Sequence, residues 1–268
     1  SSGCKGLRAL AIGPMIIVPP RPEIHAWNGF RYAGDVLHDA AIILLLCHCF
    51  QKSVAGLSAR AQWMYLILYV SRYLDILQEQ SAYLVVHKLA FSGSTLVVLL
   101  CFHFFRETYD RDADTCPGWA LALMALLALT LLACPWLGEG TLEILWTWSQ
   151  LLEGFVMVPQ YVCSYRNAKR GRVDSRGVPA WICLMGAYRL FYLLHWLYMR
   201  SWSSVYWDPT TWLSGILNVC LFADYVLCLL AGVSCLRRIT LSFDDGLRQV
   251  GDELRDRLGG CLSCEKMP

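Results

Sequence analysis

The sequence predicts an all-α membrane protein with seven transmembrane helices. Three observations predict it. Of its 268 residues, 56% are hydrophobic and only 16% are charged, where soluble domains carry about 25% charged residues. The apolar residues run in stretches close to the ~20 that a helix needs to cross the hydrocarbon. The charges crowd into short gaps, and the basic ones favour alternate gaps. A formal net charge of +2 with no basic block points away from nucleic acid.

The spans are 31–50, 58–77, 83–105, 119–137, 142–165, 179–199 and 211–236. Pro117, Pro179 and Pro209 stand near span starts, where a missing N–H costs nothing. Asp208 precedes Pro209 as an N-cap. Pro159 lies inside the fifth span and predicts a kink that frees the Phe155 carbonyl. The organisation follows: an N-terminal extension, 1–28, a seven-span domain, 29–238, and a tail, 239–268. The extension is read either as a signal-like segment, from Lys5, Arg8 and the run Leu7–Val18, or as a flexible arm. In the tail, Leu247, Val250, Leu254 and Leu258 share one face of a short amphipathic helix, with a membrane or a partner under it.

Orientation follows from the cations. Lys52 and Arg60 occupy the first gap, Arg106 and Arg111 the third, and Arg166, Lys169, Arg170, Arg172 and Arg176 the fifth. Arg237 and Arg238 begin the tail, whereas the alternate gaps hold only Arg200. Positive loops face the cytosol. The N-terminus is therefore lumenal or outside, and the C-terminus cytosolic. The thirteen cysteines are scattered, many of them within spans, and read as small buried or lipid-facing side chains. Cys261 and Cys264 form one lone C-x-x-C, too little for a metal site; palmitoylation suits it better.

Polar residues inside spans are costly and signal function. Here they gather at similar depths: Asp35, His38 and Asp39; Arg72 and Asp75; Glu143, Gln150 and Glu153; Arg189 and His195; Asp224. Glu143, Trp146, Gln150 and Glu153 fall on one helix face, as do Tyr188, Tyr192 and His195. A polar, aromatic cavity open to the lumen follows. Arginines favour a planar carboxylate, whereas Glu143 and Trp146 suit a cation. Together they suggest a zwitterionic or peptide ligand. The alternative is that these charges pair only with one another and fix helix packing.

Several segments then match one family. They are Phe30-Arg31-Tyr32-Ala33-Gly34-Asp35 with His38, Ala41–Leu46, Ala55-Gly56-Leu57-Ser58, Arg72-Tyr73-Leu74-Asp75, Leu142–Thr147 with Glu153, Pro159-Gln160, and Tyr188-Arg189 with Tyr192. Over residues 28–238 the chain resembles the ER lumen protein-retaining (KDEL) receptors. The resemblance implies two three-helix bundles plus a linking helix, similar to SWEET and PQ-loop transporters. It implies a pH-dependent receptor for C-terminal KDEL/HDEL-type signals, which returns escaped lumenal proteins from Golgi to ER. Arg72 would take the ligand's terminal carboxylate, with Tyr73 and Tyr192 nearby, and Arg31 would meet its Glu. Glu143, Trp196 and Asp208 would surround its Lys or His, with Arg189, Trp146 and Asp75 bracing the pocket. His38 would sense protons through the Glu153–Tyr188 pair. Protons are then the regulators and no cofactor is implied. COPI/COPII coat components are the implied cytosolic partners.

Two positions depart from the family pattern. His195 stands where the family usually has Asn, and Met199 where it usually has Arg. Arg200, one residue on, is expected to substitute in part and to contact the ligand's Asp. A SWEET-like small-solute transporter is the rival function, and an arginine-rich pocket argues against sugars. No nucleophile–base pair or metal cluster argues for an enzyme.

Overall fold

The computed structural model describes residues 28–74, 76, 81–115, 141–172, 175–202, 208–234, 237–239, 242, 245–246 and 248–253, with the side chains of 141–143 outside that set. Residues 1–27 of the N-terminal extension, the predicted span 119–137, Asp75, Leu247, Leu254, Leu258, Cys261 and Cys264 lie outside the described residues. The elements are all helical: α1 (Gly29–Phe50), α2 (Ala59–Arg72), α3 (Ala82–Phe104), a 3₁₀ turn (Arg106–Thr108), α4 (Thr141–Glu153), α5 (Val158–Lys169), α6 (Gly177–Trp202) and α7 (Pro209–Ala231).

Local chemistry sets the helix ends. Asn28, Ser58, Ser81 and Asp208 each cap the helix that follows, accepting from the backbone N–H three residues on. Pro209 follows its cap as predicted. Gly232, at φ 67°, ends α7 in the left-handed conformation that glycine adopts without strain.

The seven expected spans meet a structure in which four described helices, α1, α3, α6 and α7, are long and apolar enough to cross a membrane. The second predicted span ends early, because Tyr73 caps α2 after 14 residues. The fifth is broken rather than kinked: α4 stops at Glu153, and α5 restarts with Pro159 in its first turn. The Phe155 carbonyl is not left free, since it accepts from Val158 N at 2.9 Å. A proline that would have removed an interior hydrogen bond instead opens a new helix, where its missing N–H costs nothing.

The helices close a ring. Following neighbours in contact, α1 packs on α6, α6 on α7, α7 on α4, α4 on α2, α2 on α3, and α3 back on α1. The α1–α6 contact is the most extensive. It needs Gly34, where a Cβ would stand 2.7 Å from the Tyr192 ring. The ring's outer faces expose Val36, Ile43, Val86, Leu89, Leu96, Leu213, Leu227 and Leu230. An apolar exterior of this extent belongs in lipid.

All the basic loops lie at one end, joined across the ring. Gln160, fully buried, accepts from Ser58 N and donates to the Gly56 carbonyl, both at 2.8 Å. Ser58 Oγ donates to Asp114 Oδ1 at 2.7 Å. The Tyr109 hydroxyl donates to Asp114 Oδ2 at 2.6 Å. Burial first, and then the Asp114 charge, hold the Tyr109 phenol protonated well above its ordinary range. Arg170 and Arg172 both pair with Asp110. His48 accepts this end's packing too, facing Ser175 and the Ala55 carbonyl.

Candidate functional site

In the other half of the ring lies a cavity of about 270 Å³. α1 contributes Arg31 and His38; α2 and its cap contribute Tyr69, Arg72 and Tyr73; α3 contributes Phe91. Trp146, Gln150 and Glu153 come from α4, and Tyr188, Arg189, Tyr192, His195 and Trp196 from α6. Asp208 and Thr211, at the start of α7, complete the wall. Trp146, Gln150 and Glu153 of the predicted α4 face, and the predicted α6 face, thus point into one space. That follows from 3-4 spacing on helices whose other faces meet lipid or neighbours.

At its floor sits a charge triad. Glu153, 6% exposed, binds Arg72 Nη1 at 2.6 Å and pairs with Arg189, 4% exposed. The Tyr188 hydroxyl also donates to Glu153, at a longer 3.4 Å. The predicted Glu153–Tyr188 contact is therefore present, but the arginines are the glutamate's closer partners. Arg72 Nε donates to Ser149 Oγ at 3.0 Å, and Ser149 Oγ donates to the Trp146 carbonyl at 2.6 Å. Arg72 Nη2 finds no hydrogen-bond partner among the described residues. Two guanidiniums on one carboxylate leave one positive charge over. A buried charge without a counter-ion is strongly unfavourable.

Beside the triad, the His38 ring stacks on Tyr188, with centroids 4.3 Å apart and planes 6° from parallel. It packs against Phe91 at 4.1 Å, and its Nε2 faces the Tyr69 hydroxyl at 3.3 Å. Tyr69 in turn stacks on Tyr73 at 5.6 Å. Tyr192 donates to the buried Asp35, which also accepts from Tyr83 at 2.8 Å. One hydrogen-bonded layer therefore ties α1, α3 and α6 together next to the cavity. At the cavity mouth, the Asn28 amide donates to His195 Nδ1 at 2.9 Å. Asp208 is already engaged by Thr210, Thr211 and the α7 backbone at 2.6–3.2 Å.

The structure places Arg31, His38, Arg72, Tyr73, Trp146, Glu153, Tyr188, Arg189, Tyr192, His195, Trp196 and Asp208 in this wall. Arg200 is not in it. Met199 is buried at 2% exposure, while Arg200 lies on the exposed side of α6. A step of one residue turns about 100° around a helix, which carries Arg200 off the cavity face. Asp75 and the side chain of Glu143 lie outside the described residues.

Tyr69, Phe91, Ser149 and Thr211 were missed by sequence reasoning. Tyr69 had a signal, because Tyr65, Tyr69 and Tyr73 repeat every four residues and stack in the structure. Phe91 had none, being one apolar residue in an apolar run. Among the described residues, no group of three or more His, Cys, Asp or Glu side chains is placed to hold a metal.

Residues 53–199 match the family model described as ER lumen protein retaining receptor. A Petunia hybrida ER lumen protein-retaining receptor is 34% identical over 203 residues, covering 74% of this chain and 91% of the relative. The Arabidopsis thaliana ER lumen protein-retaining receptor B is also 34% identical, with the same coverage. A Dictyostelium discoideum ER lumen protein-retaining receptor is 32% identical over 207 residues.

Proposed function

Since the chain belongs to the ER lumen protein retaining receptor family, we propose that its cavity captures the C-terminal carboxylate of escaped lumenal proteins bearing KDEL- or HDEL-type signals. The observation that carries this is the Arg72–Glu153–Arg189 triad, with its surplus positive charge and the unpartnered Arg72 Nη2. A ligand carboxylate supplies the missing counter-charge and a fork-compatible acceptor. At about 270 Å³ the cavity falls just under the ~300–1,000 Å³ of typical small-molecule pockets. It suits the last residues of a chain rather than a whole peptide. Trp146 and Trp196 offer ring faces to the cationic residue of the signal. The protein is a receptor rather than an enzyme, and the solute-transporter alternative is not favoured by relatives that carry receptor names.

Binding is coupled to protons through His38. The charged groups around it are Arg72 on α2, Arg189 on α6 and His87 on α3, with Glu153 held by the two arginines. An anion seated on Arg72 lowers the local positive potential and so favours a proton on His38. By linkage, the protonated receptor binds the anion more tightly. Affinity is then higher at acidic pH and falls as pH rises.

The basic end, carrying the 52–60, 106–111 and 166–176 segments, faces the cytosol, and the cavity opens toward the lumen. The domain is a seven-span bundle of ER and Golgi membranes, built as two three-helix bundles and a linking helix. Coat components of the COPI/COPII type engage its cytosolic face. Support comes from the gathering of the basic loops at one end and from the apolar exterior.

The test is direct binding of Lys-Asp-Glu-Leu and His-Asp-Glu-Leu peptides to the purified chain, at about pH 5.5 and about pH 7.4 on either side of the histidine range. Saturable binding that weakens at the higher pH is expected. No binding at either pH would overturn the reading.

A further inference from the structure

A second cavity, of about 800 Å³, opens at the basic end of the fold, away from the site just described. Its wall holds Lys169 at the end of α5, Arg237 and Arg238 after α7, Ser234 and Ser242, and Asp245. The charges are unequally matched. Asp245 is taken by the α5 residue Arg166, whose Nη2 lies 2.7 Å from its Oδ1. That leaves Lys169, Arg237 and Arg238, none with an ion-pair partner among the described residues. Arg237 is steadied by its guanidinium lying 6.0 Å over the Tyr165 ring, and its backbone N–H donates to Ser234 Oγ at 2.8 Å. Ser234 Oγ in turn donates to the buried Asp224. The groove is thus a cationic pocket braced against α5 and α7.

Exposed apolar residues flank the cations in the chain. Val233 lines the same cavity, Leu229 and Leu230 precede it and Ile239 follows Arg238; these four are 50–82% exposed. Gly232 ends α7 after Leu229 and Leu230, so the change from the apolar helix to the cationic segment begins where the helix stops. An apolar helix end beside a cationic pocket matches the polarity of a phospholipid, with its chains along the exposed end of α7 and its headgroup among the cations. A free phosphate would use the cations and leave the apolar residues idle. An acidic protein segment would bring carboxylates to the cations but nothing for the apolar residues.

We propose that this groove binds an anionic phospholipid of the cytosolic leaflet, with a headgroup that carries a phosphate monoester, as in a phosphorylated phosphatidylinositol. Basic pockets between helices at that face hold such headgroups. Arginine forks match phosphate oxygens, and Ser242 adds a hydroxyl donor. A phosphatidylserine headgroup carries its own ammonium, which the three cations repel. The proposal rests on the orientation given above, and it is independent of whether the first cavity binds a peptide.

The full-length chain is placed in nanodiscs of phosphatidylcholine alone, with phosphatidylserine, or with phosphatidylinositol 4-phosphate, the last two matched in total charge. Binding of a fluorescent phosphatidylinositol 4-phosphate and of the retrieval peptide is measured on the same samples. The labelled lipid is expected to bind saturably and to resist competition by phosphatidylserine. A double change, Arg237→Gln with Arg238→Gln, should weaken it roughly 30-fold, about fivefold for each cation removed near the surface. Lys169→Gln alone should weaken it about fivefold, which keeps the test open if the double variant does not fold. Peptide binding should be unaltered in both. Equal competition by phosphatidylserine, or affinity unchanged in the variants, overturns the proposal. Soluble inositol phosphate binding as tightly as the lipid overturns the choice of a lipid occupant. Loss of peptide binding in the native chain counts against the receptor reading instead and leaves the lipid result standing.

Discussion

Replacing Arg72 by lysine tests the floor of the cavity most directly. The guanidinium uses Nη1 on Glu153 and Nε on Ser149, and offers Nη2 to a ligand. A lysine ammonium is one point on a flexible stem and cannot satisfy three partners in a plane. Glu153, a buried carboxylate, has first claim on it, so the ligand loses its bond. A hydrogen bond to a charged group contributes about 1.5–3 kcal/mol, so affinity for a C-terminal acid peptide should fall roughly 10- to 150-fold. The decisive assay is a two-by-two cycle, by calorimetry or fluorescence polarisation, of native and Arg72→Lys protein against acid and C-terminally amidated peptides. If Arg72 holds the carboxylate, amidation weakens binding to the native protein strongly and to the variant hardly at all. The two changes remove one interaction, so their effects do not add. Full additivity, with amidation costing as much in the variant as in the native protein, would refute the assignment.

Three further outcomes are expected. His38→Ala should flatten the pH dependence of peptide affinity, which for one coupled proton is at most about tenfold per pH unit; an unchanged profile from about pH 5.5 to about pH 7.4 would move the sensor elsewhere. Gly34→Ala drives a Cβ to 2.7 Å from the Tyr192 ring and should destabilise the α1–α6 seam by about 1–3 kcal/mol, read as a lower melting temperature. Combining it with Tyr192→Leu should recover part of that stability but not peptide binding. Arg200→Ala should leave a peptide series varied at the third position from its end unchanged, because Arg200 lies on the exposed side of α6; a selective loss for Asp at that position would show that it reaches the ligand after all.

What the sequence by itself determined was what depends on period and composition. Apolar length and charge spacing marked α1, α3, α6 and α7 to within a few residues, and put Trp146, Gln150 and Glu153 on one face and Tyr188, Tyr192 and His195 on another. The cap at Asp208 was legible because capping is a local hydrogen bond. The two segments Ala55–Ser58 and Pro159-Gln160 were legible as motifs, but not as partners: Gln160 bonds Ser58 and Gly56 across about a hundred residues of chain, and nothing local encodes that. Tertiary structure alone decided the pairings. It set Glu153 between Arg72 and Arg189 rather than with Tyr188 chiefly, laid His38 flat on Tyr188, and turned Arg200 away while burying Met199. It also broke the fifth span at Gly154–Met157, where sequence reasoning allowed only a bend. The physical reason is common to all of these. A helix's own spacing says which residues share a face, but which face meets which neighbour depends on how six helices close a ring. That closure is settled by contacts between residues far apart in the chain, such as the Gly34 backbone beneath the Tyr192 ring.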